Sequence, residues 1–215
     1  MIPPKQSGAF VAAMEDVLEV YRRPFDPCCP VVCMDEQPVQ LVKETRCPVP
    51  AAPGRRRRID YEYERAGTAS VFLLTVPLAG RRRTAVDWAE EMRVPLEEDW
   101  AEAEKVILVC DNLNTHGPGA FYEAFEPAVA RRLAKRLEIH YTPKHGSWLN
   151  VAECELSVLS RQCLRDRLGS VATLRRRVRL WERDRNQRPC GVQWQFTTAD
   201  ARIKLQRLYP QAHMA

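Results

Sequence analysis

The sequence has no apolar run long enough to cross a bilayer. Its most hydrophobic stretches, such as Val71–Val76 and Val106–Cys110, are only a handful of residues long, against the roughly 20 that a spanning helix needs. No membrane partner is expected. After the opening Met-Ile-Pro-Pro-Lys there is no apolar stretch followed by a small-residue cleavage site, so a cytoplasmic location is expected. The eight cysteines lack a pattern. Cys28, Cys29 and Cys33 lie close together, but no second Cys-x-x-Cys or His-x-x-x-His half-site completes a tetrahedral zinc centre. They read as reduced thiols, with Cys110, Cys154 and Cys163 sitting in apolar patterns as small buried hydrophobes. No internal repeat is visible.

What is present suits one globular domain with short appendages: 215 residues, 45% hydrophobic and 28% charged, enough for a sizeable core. The net charge of +5 is mild but unevenly spread. Between Arg161 and Arg188 ten arginines face only Asp166, Glu182 and Asp184, so the rest of the chain is slightly acidic. A local arginine surface is the electrostatic footprint of a phosphate-backbone partner; the plain alternative is a solvated helix face.

Hydrophobic periodicity predicts an opening helix over 8–22, with Phe10, Met14, Val17, Leu18 and Tyr21 on one face. A short buried strand is expected over 30–35, with Asp35 at its far end. After a proline-rich turn and the run Arg55–Arg58, two strands at 60–65 and 69–78 flank Ala66-Gly67-Thr68 as a hairpin, and the chain then passes through Gly80–Arg83 straight into a helix over 84–98 interrupted at Pro95. Asp60, Glu62 and Glu64 alternate with tyrosines and read as a solvated strand face. A second buried strand, Val106–Cys110, ends at Asp111; a helix over 118–136, a strand over 137–141 and helices at 149–164, 171–186 and 198–208 follow. Hairpin strands first, then strands separated by crossover helices, make a mixed sheet of α/β type covered by helices.

Asp35 and Asp111 each follow a buried strand at its carboxyl end, where open α/β sheets place their ligand sites. Carboxylates brought together repel unless a cation sits between them, and hard oxygen ligands suit Mg²⁺ or Mn²⁺. A third carboxylate is expected from the helix 149–164, whose stripe is Leu149, Ala152, Leu156, Leu159 and Cys163. Glu153 and Glu155 flank that stripe on opposite sides, and periodicity does not choose between them.

Three segments carry a resemblance. Cys33-Met-Asp-Glu36, Asp111-Asn-Leu-Asn-Thr-His116 and Tyr141-Thr-Pro-Lys-His-Gly-Ser-Trp-Leu-Asn-Val-Ala-Glu153 resemble, in order, the acidic motifs of the mariner-like DDE transposases, specifically those of the bacterial insertion-sequence family six-thirty. The resemblance runs from about Pro30 to Pro210 and implies a ribonuclease H-like fold and a carboxylate triad holding two Mg²⁺ or Mn²⁺ ions. It also implies cleavage and joining of DNA strands at transposon ends. That family's third acid lies three residues after an asparagine; after Asn150 this is Glu153. The expected catalytic and metal-holding set is therefore Asp35, Asp111 and Glu153. Lys144, His145 and His116 lie in loops beside the acids and are candidate contacts to the scissile strand, while Trp148 either stacks on a base or packs as a hydrophobic staple.

The helix 171–186 should bury Val171, Leu174, Val178 and Trp181 and present Arg175, Arg176, Arg179 and Arg183 to DNA. Residues 30–210 then form the catalytic domain, and 1–29 are read as the remnant of a linker from an absent helix-turn-helix region. The implied partner is DNA, with a homodimer as a candidate assembly and a nucleoid-associated location. A catalytically inactive DNA-binding or dimerising relic is the alternative. A phosphatase with an aspartyl nucleophile would want a second aspartate two residues on, where this chain has Gln37.

Overall fold

A computed structural model describes residues 6–85, 88–112 and 117–211, the side chains of 85–91 excepted. Five strands form one sheet: β1 (Val31–Glu44), β2 (Tyr63–Val76), β3 (Arg81–Ala85), β4 (Val106–Cys110) and β5 (Leu137–Tyr141), in the order β3-β2-β1-β4-β5. β1–β2 and β2–β3 are antiparallel, and β1–β4 and β4–β5 are parallel. The mixed α/β sheet expected from the element order is the one observed.

Both faces of the sheet are buried, which is why its central strands read as unbroken apolar runs. On one face Cys33, Ile107 and Val109 pack with Met14 and Leu18 of α1 (Gly8–Tyr21), Ala152 and Leu156 of α5 (Val151–Gln162), and Leu174 and Trp181 of α6 (Val171–Gln187). The alternate residues Val32, Met34, Leu108 and Cys110 face the other way. There they meet Met92 and Leu96 of α2 (Trp88–Glu97), Phe121 of α3 (Pro118–Ala124) and Leu133 of α4 (Pro127–Lys135). Helix α1 is thus built into the same core as the sheet. Its Phe10, Met14, Val17 and Leu18 are buried, as their spacing predicts. A last helix, α7 (Thr198–Lys204), closes with a capping box between Thr197 and Asp200.

Several boundaries differ from the sequence reading. β1 does not stop at Asp35 but runs on to Glu44, because β2 continues to pair with it after β4 has ended at Cys33↔Val109. Pro38 is tolerated there because β1 has become an edge strand. The expected hairpin around Ala66–Thr68 is instead the middle of β2. Gly67, at φ +95°, sits where the β1–β2 register shifts between Gln40 and Val42, a bulge that carries the same glycine signal as a turn. Gly80–Arg83 leads into β3 rather than directly into a helix. The helix expected over 118–136 is divided in two at Pro127, whose ring holds the preceding Glu126 in an extended conformation. The expected last helix ends at Lys204 and is followed by a 3-10 turn over 206–208. Cys154 is exposed, not buried.

Candidate active site

Parallel pairing sets the corner where the first two acids lie. The β1–β4 register ends at Cys33↔Val109; Asp35 lies two residues further along β1, and Asp111 directly follows β4. Alternate residues of a strand share a face, so Asp35 lies on the side of Cys33, the face covered by α5. Both aspartates are half-buried, and Asp35 accepts a hydrogen bond from the Glu36 backbone N–H at 2.8 Å. Cys110 registers both charges. Burial first, then the nearby Asp111 and Asp35 carboxylates, push its thiol up to about 12.

The third element is pinned to that corner by one side chain. Asn150, 2% exposed, caps α5 by accepting from Ala152 N–H at 3.1 Å, and its Nδ2 donates to the Met34 carbonyl at 2.8 Å. The start of α5 is therefore bonded to β1 at the residue before Asp35. Tyr21 adds a second tie, its hydroxyl donating to the Leu149 carbonyl at 2.7 Å. Glu153 lies in the first turn of α5 and is exposed, at the end of the helix where the peptide dipoles favour a negative charge.

Glu155, the rival on the same helix, lies in a different environment. It is 7% exposed and receives a two-pronged bond from Arg82 of β3 at 2.5 and 2.8 Å, with Arg185 of α6 at 3.2 Å. Burial alone would push its carboxyl up; the two guanidiniums outweigh that and hold it below the usual carboxylate range. Arg82 is 5% exposed and also donates to the Gly80 carbonyl at 2.6 Å. Sequence reasoning missed Arg82, since three consecutive arginines after a glycine do not show which one turns inward.

Among the described residues, no three His, Cys, Asp or Glu side chains are already grouped so as to hold a metal ion. Lys144 and His145 are exposed on the turn that leads from β5 to α5. His145 has φ 68°, a left-handed conformation that no other described non-glycine residue adopts, and the turn is tight enough that a Cβ on Gly146 would meet Pro143 at 2.6 Å. Trp148 stands edge-on to Phe196 with ring centroids 5.9 Å apart and packs against the core. His116 lies outside the described residues. On α6, Leu174, Val178 and Trp181 are buried and Val171 is half-buried. Arg175, Arg176, Arg179 and Arg183 are exposed around a shallow groove of about 500 Å³. Their neighbours Arg177 and Arg185 are instead paired with Asp166 and Glu155.

A family model described as DDE superfamily endonuclease matches residues 30–175. No curated protein matches the sequence. Among solved structures, a crystal structure of the Mos1 mariner paired end complex with Mn is similar at a TM-score of 0.54 and 14% identity, covering 98% of this chain and 65% of that one. A Mos1 transposase paired-end complex with left transposon end gives 0.50 and 15%, covering 85% and 57%. The chain thus spans less than two thirds of the length of these structures. At such identities the likeness speaks for the fold, which is the ribonuclease H-like one.

Proposed function

Starting from the membership of this chain in the DDE endonuclease superfamily, we propose that residues 30–210 are the catalytic domain of a transposase, of the bacterial insertion-sequence family six-thirty type, that cleaves and joins DNA strands at transposon ends. The observation that supports this most strongly is that Asp35 on β1 and Asp111 just after β4 both act on the Cys110 thiol, at the end of the parallel β1–β4 pairing, with α5 tied to β1 through Asn150.

Asp35, Asp111 and Glu153 are the residues that would hold divalent metal. The donor chemistry fits, since carboxylate oxygens are hard ligands suited to Mg²⁺ or Mn²⁺ and the exposed Glu153 has, among the described residues, none of the arginine pairing that occupies Glu155. Two such ions, when bound, stabilise the attacking and leaving oxygens of an in-line phosphodiester displacement. The protein residues do the rest. Asn150 holds the first turn of α5 against β1, which limits how far Glu153 can drift from Asp35. Lys144 and His145 project from the turn beside that helix start toward the phosphates of a bound strand. Arg175, Arg176, Arg179 and Arg183 contact the backbone of the duplex; because phosphate contacts carry no base information, binding by this chain has little sequence preference. Trp148 is assigned to packing.

The test is nicking of supercoiled DNA in Mg²⁺ or Mn²⁺. Asp111→Asn should abolish it without altering the fold, because an amide cannot supply the anionic oxygen that the ions require. Nicking that persists in EDTA, or in Asp111→Asn, contradicts the proposal. Absence of metal-dependent nicking in the unmodified chain favours the inactive DNA-binding relic.

A further inference from the structure

We propose that the tip of the arm formed by β1 and β2 is a second contact for the phosphate backbone of duplex DNA, separate from α6; this rests on the reading of the chain as a DNA-acting enzyme. The arm is the part of the sheet that continues past the acidic corner. From Asp35, β1 runs nine more residues to Glu44, still paired with β2, whose described pairing begins at Tyr63. At ~3.3 Å per residue the base of the tip lies on the order of 30 Å from Asp35. The tip, residues 45–62, carries five arginines against Asp60 and Glu62.

Its backbone is held in place. Val49 and Arg58 exchange N–H···O bonds at 3.0 and 3.1 Å, and Ala52 and Arg55 do so at 3.0 and 2.8 Å around Gly54 at φ +75°. Pro48, Pro50 and Pro53 remove further backbone freedom. Two side chains join the tip to the body: Arg167 donates to the Glu62 and Tyr61 carbonyls at 3.1 and 3.4 Å, and Arg57 works from the tip. Arg57 reaches Asp166 at 3.1 Å, and the same carboxylate takes Arg177 of α6 at 3.2 Å. The hydrogen bonds from Arg177 and then Arg57 hold the Asp166 carboxyl below its usual range. Arginine tip and arginine helix are therefore linked through one shared carboxylate.

Once Arg57 and Arg46 have taken Asp166 and Asp60, Arg55, Arg56 and Arg58 remain exposed with no ion pair among the described residues. Beside them Tyr61 is 84% exposed and Val49 58%. A turn that merely solvates itself has no need of a braced backbone presenting three uncompensated guanidiniums and an open tyrosine ring. Guanidiniums match phosphate oxygens two at a time, and a tyrosine offers an apolar face to a sugar with a hydroxyl for a phosphate. Charge complementarity selects a polyanion, and at this distance from the acids the partner that reaches both is a continuous duplex.

The experiment measures affinity of the full chain for a random-sequence duplex of about 30 base pairs across a salt series. It compares the unmodified chain, the arm variant Arg55→Gln with Arg56→Gln and Arg58→Gln, and the α6 variant Arg175→Gln with Arg176→Gln and Arg179→Gln. Each lost phosphate contact flattens the log–log slope by about 0.9, so the arm variant should lose two to three units of slope with an unchanged thermal melt and an unchanged molecular mass. Unchanged slope in the arm variant, with a flatter one in the α6 variant, overturns the arm contact and leaves the proposed function standing. Unchanged slopes in both variants overturn both DNA-binding assignments. A fall in affinity accompanied by a change in mass also overturns the arm contact, because it assigns the tip to an interface between copies of the chain.

Discussion

Glu153 and Glu155 lie two positions apart on α5, one exposed and the other buried. Glu155 turns to the end of the sheet where β3 and α6 meet, and two arginines neutralise it. Glu153 lies in the first turn of the same helix and is exposed; the proposed site assigns it to the corner of Asp35 and Asp111. A helix wheel treats the two positions alike, flanking one stripe at equal angles. What separates them in the structure is Arg82 on β3, which pairs with Glu155, whereas Glu153 is exposed. Buried charge that is paired builds structure, whereas carboxylates left beside carboxylates call for a cation.

The contrast can be broken most forcibly at Glu155. Replacing it with alanine strands Arg82, 5% exposed, without its counter-ion, and breaking a buried pair in this way costs about 3–5 kcal/mol; urea unfolding should show that loss. Glu153→Gln should change stability by no more than about 0.5 kcal/mol. Equal losses in the two variants would erase the distinction.

Asn150→Ala comes next, removing both the helix cap and the bond to the Met34 carbonyl. A loss of about 1–3 kcal/mol is expected, together with weaker nicking, because Glu153 is then less firmly held to β1. Full nicking by a destabilised Asn150→Ala would show that the tie serves folding alone.

Acid offers a third probe. The folded-state pKa of Glu155 is depressed, so its contribution to stability is complete above the ordinary glutamate value of about 4.3 and is lost as pH falls through the folded value. The gap between the unmodified chain and Glu155→Ala should narrow accordingly in acid unfolding titrations. Glu182 supplies the opposite sign. Burial pushes its carboxyl up although it accepts from the Thr84 N–H and hydroxyl at 2.9 and 2.6 Å. A raised carboxyl opposes folding when ionised, so Glu182→Gln, which keeps an acceptor oxygen, should be neutral or stabilise by under about 1 kcal/mol near pH 7.

How much of this was legible in the sequence depends on how many faces of an element are buried. Val106–Cys110 and the stripes of α5 and α6 are readable because burial imposes a period or an unbroken run on them. The β1–β2 arm is not. Pro38, Gln40 and Gly67 interrupt its pattern, and beyond Ser70 the β2 side chains toward the tip are largely exposed, so no core selects them. Asp35 and Asp111 are legible as strand-end acids even though β1 continues past the first of them. That Glu155 is taken up in an ion pair is not legible from periodicity, because it depends on Arg82, a partner 73 residues away in the chain. The family resemblance points to Glu153 and the proposed site adopts it.

The most direct test of the assignment is Mg²⁺-dependent nicking of supercoiled DNA by Glu153→Gln, run beside its thermal melt. The account predicts a melt like that of the unmodified chain and no metal-dependent nicking. Nicking at the unmodified rate by a folded Glu153→Gln would contradict it.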